Sequence, residues 1–513
     1  MTDSLVFVGG NGQVILYTDS FTDITNSSFR LVGGSVHVQN NSLSATALFS
    51  DALIDGGSLI LDASPMYISE LVLLQGQRSG FGLLEVTDKL EWQGGSFIGN
   101  GTTRNMNLMV VEGTSLMIID EGHVLESFGY ISLTQGQLEA GKFTKIINRP
   151  SGEFVIGGDG TLTPTAFDEE LPIFINEGLF VKGVTDSKFE FLLALQNYGT
   201  ASVSNGTLAV GTNSYSEGLI QISQESTFEL TGLFVFKDSS VVTNAPGTIH
   251  VSNSQSNVSV AGAFNHTGIL LITDGLVEFS RNLFVETVNV HQSGGDFLVN
   301  GEANSMSMTL SGGQTNLKDQ FVLHQLDFLY VSNSSLLTLE PHTNISSSLS
   351  QWFITGGSLL VSPSVHISLD RVYFNQSGGV VSFDTTSTDN SVHFTDLILC
   401  DGIFDLNKIY SIVVDRFVLC GGLRKGTGNI NVYTLFSWTS GVLTEAGSTT
   451  LYAPSLFTED HPKTLNNSHF LINWHNLEVL DTVVDLEHSS QFINHLNASL
   501  ILSNSSVSSF VIP

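Results

Sequence analysis

The chain has 513 residues, of which 41% are hydrophobic and only 13% charged. That excludes a disordered polyelectrolyte, and the shortage of charge argues against a helix-rich protein. A formal net charge of −31, from 49 Asp and Glu against 18 Lys and Arg, repels phosphate backbones, so nucleic acid is not an expected partner. No apolar run is long enough for a membrane-spanning helix.

Met1-Thr-Asp-Ser-Leu5 lacks the basic start and apolar core of a secretory leader. Yet the chain carries twelve Asn-x-Ser/Thr sequons, at Asn26, Asn40, Asn100, Asn205, Asn257, Asn265, Asn333, Asn344, Asn375, Asn466, Asn497 and Asn504. So many acceptors favour the secretory route. The two observations are reconciled if the sequence is an internal piece of a longer extracellular or cell-surface protein, or if its true start is missing.

From the first residues onward a glycine turn is followed by a short alternating run. It is spelled Gly34-Ser-Val-His-Val38, Gly57-Ser-Leu-Ile-Leu61, Gly95-Ser-Phe-Ile98, Gly152-Glu-Phe-Val-Ile156, Gly206-Thr-Leu-Ala-Val210 and Gly247-Thr-Ile-His-Val251. The last third continues with Gly295-Asp-Phe-Leu-Val299, Gly357-Ser-Leu-Leu-Val361 and Gly379-Val-Val-Ser-Phe383. Gly-Gly pairs at 9, 33, 56, 94 and 157, and again at 294, 312, 356, 378 and 421, fall near whole multiples of one spacing. A period of about 21 to 23 residues with period-two alternation predicts an all-β fold, a right-handed parallel β-helix. One coil cannot bury its inward side chains; stacked coils bury a continuous column of them.

The expected domain organisation is a single continuous solenoid over residues 1–513. Residues 164–199 break the rhythm and predict an irregular insertion, either a longer loop or a short helix. The stretch from Glu459 to Lys463 reads as another outward loop.

Cys400 and Cys420, the two cysteines, each follow three apolar residues and precede Gly or Asp-Gly. Their spacing is about one coil, so they stack. They form either a disulfide or a pair of buried thiols. Trp92, Trp352 and Trp438 each precede a glycine turn, which predicts a structural corner, with stacking on a sugar ring as the alternative. His461, His469, His475, His488 and His495 crowd the last coils without metal-ligand spacing and are expected at the surface. Gly9-Gly-Asn-Gly and Gly157-Gly-Asp-Gly approach a calcium-binding nonapeptide, but an apolar residue replaces the liganding Asp. His-Glu-x-x-His and Gly-x-Ser-x-Gly are absent, as is any Asp-Asp pair. No catalytic residue, cofactor or metal site is expected.

The pattern Trp92-Gln-Gly-Gly-Ser-Phe-Ile-Gly-Asn-Gly-Thr102, degraded at Trp438 to Thr449, resembles repeats of large extracellular β-helix proteins, adhesin-like and filamentous-haemagglutinin-like. The resemblance implies a non-catalytic structural or adhesive role at the cell surface, with glycans or other surface proteins as partners. The competing expectation is a carbohydrate-active β-helix enzyme, a polysaccharide lyase or hydrolase, which would gather carboxylates with an Arg or Lys in one outer groove. On the first reading the carboxylates scatter.

Overall fold

A computed structural model describes residues 5–17, 27–39, 47–62, 65–133, 136–157, 161–165, 170–183, 185–211, 213–243, 246–280, 283–384, 390–407, 411–459 and 461–507. Among them there is no α-helix, and the strand pairings are parallel: a β-solenoid of about 22 turns. The contacts divide the chain into two compact units, Met1–Gly268 and Ile269–Pro513.

In the first unit most coils hold three short strands. Leu108–Val111, Met117–Ile119 and Val124–Ser127 make one coil, and Tyr130–Leu133, Gln137–Ala140 and Lys145–Asn148 make the next. Each strand pairs with its counterpart one coil on: Leu108 with Tyr130, Met117 with Leu138, Val124 with Lys145. Alternate residues point inward, so Thr102–Asn105 and Leu108–Val111 both alternate half-buried with buried. The inward positions stack into columns. Phe154, Phe174, Phe180 and Phe191 lie with ring centroids 5.0–5.8 Å apart, mostly edge-to-face. Each ring removed from water contributes roughly 2–3 kcal/mol before entropy is counted.

Coil length varies because only the turns change. Thr200 pairs with Leu219, while Glu153 pairs with Leu179, seven residues further along by comparison. The stretch 164–199 takes neither predicted form as a whole. Ile173–Asn176, Leu179–Lys182, Lys188–Phe191 and Ala194–Asn197 are strands in register with the coils on either side. The extra length sits in the turn between Pro164 and Ile173, of which residues 166–169 lie outside the described set.

The second unit contains coils written almost as one strand. His366–Phe383, Ser391–Leu406, Ser411–Lys425 and Asn429–Leu443 each bend around the corners at bulges, where the register shifts. Glycine is required where backbones crowd at such corners: Gly402 has φ +84, and a Cβ there would lie 2.4 Å from the Gly379 carbonyl oxygen. Other corners are turned without glycine, by Asn213, Glu225, Asn333 and His342 among others, all at positive φ.

Candidate binding groove and buried corner clusters

Cys400 and Cys420 are joined in a disulfide, with Cα atoms 4.4 Å apart. The pair lies on the outer side of the wall, Cys400 exposed and Cys420 half-buried, rather than in the core. Trp92, Trp352 and Trp438 are buried. The Trp92 indole donates to the Gly94 carbonyl (3.0 Å) and that of Trp438 to Ser440 (3.1 Å), so neither can present a face to a sugar. The exposed tryptophan is Trp474, stacked between Tyr452 and His495 in an outward row that begins at Tyr433. The ring faces in that row cover one another.

Two asparagine classes separate cleanly. Of the sequons, Asn26 and Asn40 lie outside the described residues. The other ten are exposed or half-buried: Asn100, Asn257, Asn265, Asn333, Asn497 and Asn504 are exposed, and Asn205, Asn344, Asn375 and Asn466 are half-buried. The buried asparagines are Asn105, Asn148, Asn176, Asn197 and Asn473, and none heads a sequon. They form corner ladders. Asn148 donates to Asn176 (2.8 Å) and Asn176 to Asn197 (2.7 Å); Asn197 donates to Ser216 (2.9 Å). Each also donates to a carbonyl of the next coil, of Leu179, Thr200 and Leu219. The amide thereby satisfies corner carbonyls that the sheet leaves unpaired.

A buried polar cluster occurs twice. The Arg78 guanidinium donates to the carbonyls of Gly80 (3.1 Å), Gly82 and Thr102 (3.4 Å) and lies 3.5 Å from His123 Nδ1. His123 Nε2 meets the Thr103 hydroxyl at 3.0 Å. Arg424 repeats this with Gly426 (2.9 Å), Gly428, Thr444 (3.5 Å) and His469 (3.4 Å), and His469 meets Thr449 at 3.2 Å. Sequence offsets from the arginine to the two glycines, the corner tryptophan, the histidine and the threonine whose hydroxyl meets it are the same in both copies, whereas the third carbonyl comes from non-equivalent positions, Thr102 and Thr444. Gly101 and Gly447 make room: a Cβ at either would press on the guanidinium, at 2.3 and 2.7 Å. Burial lowers both arginines to about 10. Burial, and then the neighbouring guanidinium, pushes His123 and His469 down to about 3, so both imidazoles are neutral. His469 is thus a core residue and not one of the surface imidazoles expected of the last coils; a polar corner had a use for it. The expected outward loop at 459–463 ends on a buried side chain as well. Lys463 donates to the carbonyls of Thr439 (2.8 Å) and His461 (3.1 Å) and to the Thr482 hydroxyl (2.8 Å). His461, His475 and His488 are exposed and His495 half-buried.

The acidic residues do not simply scatter. On the first unit Glu85, Arg104, Glu126, Arg149 and Glu177 form an alternating ladder. Arg104 reaches Glu85 at 3.1 Å and Glu126 at 3.1 Å; Arg149 reaches Glu126 and, at 3.3 Å, Glu177. Both guanidiniums lie over the Phe128 ring, at 5.5 and 5.9 Å. The carboxylates raise the pKa of Arg149, hydrogen bonds to Glu126 contributing most. A cation therefore stands between successive carboxylates. This geometry neutralises charge on the wall, whereas glycoside hydrolysis needs two carboxyl groups facing one bond. Among the described residues no group of three or more His, Cys, Asp or Glu is placed to hold a metal ion.

A cavity of about 610 Å³ lies on the outer wall of the first unit. Its floor includes Val124, Ile173 and Ala194, which with Lys145 between the first two hold one register position on four successive coils. Phe143 and Leu171 contribute apolar side chains, and Asn100, Lys145, Glu170, Gln196 and Asn213 polar ones. It holds one carboxylate and one ammonium. A second hollow, of about 520 Å³, lies beside the turns at Pro150–Gly152 and Glu177–Leu179 and carries Glu153 and Glu177. Sequence reasoning missed both, because their depth is set by turn lengths. It also missed the arginine clusters, for which the repeated Arg-x-Gly-x-Gly spacing was the available signal.

No family model, no curated protein and no solved structure matches this chain.

Proposed function

We propose that the chain is a non-catalytic structural or adhesive β-solenoid of an extracellular or cell-surface glycoprotein. The observation that carries this reading is the partition of asparagines. All ten described sequon asparagines are exposed or half-buried, while the five buried asparagines head no sequon. Selection against a glycan acceptor in the wall's interior is meaningful only for a chain that meets the glycosylation machinery. The Cys400–Cys420 disulfide fits the same oxidising compartment. The working surface on this reading is the wall itself, with its outward polar rows and any attached sugars binding glycans or other surface proteins. Peptide mapping of the native protein by mass spectrometry tests it. Occupied sequons and a linked cysteine pair are expected; bare asparagines with free thiols would overturn it.

A carbohydrate-active enzyme is the second reading, favoured by the hollow that brings Glu153 and Glu177 to one rim. Arg149 already engages Glu177, which suits a structural carboxylate better than a catalytic one. Release of reducing ends from acidic or neutral polysaccharides, abolished by Glu153→Gln, would support the enzyme over the scaffold.

A further inference from the structure

We propose that the larger groove is the seat of the chain's own sugar, attached at Asn100. The inference rests on the glycoprotein reading above and says where one glycan lies. Asn100 heads the sequon Asn100-Gly101-Thr102, is exposed, and contributes its side chain to the groove. Among the described residues its amide makes no hydrogen bond, whereas the amides of Asn333 and Asn504 are engaged by Ser311 (3.2 Å) and Asp481 (3.1 Å).

The neighbouring corners leave a path for the sugar. Directly against Asn100 lies Gly122: a Cβ there would come within 2.4 Å of Asn100 Oδ1. The missing side chain opens the space from Asn100 to the next corner, which is Phe143. Phe143 is 61% exposed and holds φ +61, a left-handed conformation that is strained for a bulky residue. A large aromatic ring is thus held out of the core at the groove's wall. Aromatic faces pack on the C–H face of a pyranose, and the surrounding groups suit the remainder of an N-acetylhexosamine. Gln196 and Asn213 offer amides, and Lys145 and Glu170 offer charged partners for hydroxyl and acetamide groups. A volume of about 610 Å³ lies within the range that encloses a ligand of one to a few rings. The first N-acetylglucosamine packs on Phe143, and the next ring lies along Val124 and Ile173.

The seat is tested on the full chain secreted from a eukaryotic host, by timing enzymatic release of glycans from the native protein with site-resolved mass spectrometry. Asn257, exposed at the start of its strand, is the internal reference. Release at Asn100 should be about tenfold slower than at Asn257, the effect of roughly one aromatic contact. Phe143→Gly, which suits the backbone conformation at that position, should abolish the difference. Equal release at Asn100 and Asn257, or a bare Asn100 beside an occupied Asn257, overturns the seat but leaves the glycoprotein reading standing. If Asn257, Asn265 and Asn100 are all bare, the glycoprotein reading falls and takes the seat with it.

Discussion

Arg78 and His123 meet 3.5 Å apart in a fully buried corner, a guanidinium held by backbone carbonyls beside an imidazole that burial keeps neutral at ordinary pH. Arg424 and His469 repeat the relationship at 3.4 Å in the other unit. Three converging carbonyls accept from each guanidinium, and at Arg424 the Glu445 and Asp405 carboxylates also favour the charged form. A buried cation coordinated in this way plays the part that a metal ion would play at a crowded corner.

The first prediction is acid sensitivity. Each histidine has a folded pKa of about 3, against about 6.5 in the unfolded chain. The unfolded state therefore binds the extra proton first, and stability falls as pH drops below about 6.5 towards 3. The slope approaches about 1.4 kcal/mol per pH unit for each histidine in that window. The groups facing His123 are Arg78, Thr103, the Gly99 carbonyl and the stacked Phe97 ring; those facing His469 are Arg424, Thr449 and the Glu445 carbonyl. Thermal melts from pH 7.5 to 4.5 should show a falling midpoint. In His123→Asn/His469→Asn the fall should be visibly shallower. An unchanged slope would assign the acid response to carboxylates elsewhere.

The second concerns the guanidinium. Arg78→Met strands the carbonyls of Gly80 and Gly82, each worth about 1–3 kcal/mol when left unpaired in the interior. The expected loss is about 3–5 kcal/mol, read from denaturant unfolding of the first unit. Arg78→Lys should recover little, since a single ammonium cannot reach carbonyls placed for a planar fork. Full recovery by lysine would mean that charge rather than shape matters here.

These clusters mark the boundary of what the sequence made legible. Columns such as Phe154, Phe174 and Phe191 follow from period-two alternation, and the tryptophan corners from their place before glycine turns. His469 and Lys463 were expected outside, because isolated polar residues usually face water. Their burial depends on polar partners brought in from neighbouring coils, Arg424, Thr449 and Glu445 for His469 and Thr439, His461 and Thr482 for Lys463, and no local pattern encodes that. The grooves are hidden for a related reason: the larger one gathers Asn100, Phe143, Glu170 and Asn213 from the turns of different coils, and no local pattern brings those turns together. The carboxylates were expected to scatter, yet Glu85, Glu126 and Glu177 are drawn into line by two arginines two coils apart, with Glu126 on the coil between them. Coil stacking converts a sequence spacing near 22 into direct contact, and it does so for charges as readily as for phenylalanine.

A third prediction follows from the outward disulfide. Closing a loop of about 20 residues restricts the unfolded chain by about 3 kcal/mol in the entropic account. Cys400→Ser/Cys420→Ser should lower the stability of the second unit by up to that amount. The first unit should be unaffected, because its coils contain no cysteine. Hydrogen exchange resolved by peptide checks both halves at once. Faster exchange across Ser391–Lys425 alone is expected, and an equal loss in both units would contradict the division.

The fourth sets the two asparagine classes against each other. Asn176 sits in mid-ladder, accepting from Asn148, donating to Asn197 and capping the Thr200 carbonyl. Asn176→Ala removes all three links and leaves buried partners unsatisfied, so a loss of about 2–4 kcal/mol is expected. Asn176→Asp should be worse at neutral pH, since it buries a carboxylate and deletes the donor that Asn197 and Thr200 use. Asn265→Gln, at an exposed sequon, should change the stability of the unglycosylated chain by less than about 0.5 kcal/mol. Chemical denaturation of the three variants in bacterial material, free of sugars, measures the contrast directly. If Asn265→Gln were as damaging as Asn176→Ala, solvent-facing asparagines would be structural too, and their enrichment in sequons would lose its meaning as a sign of glycosylation.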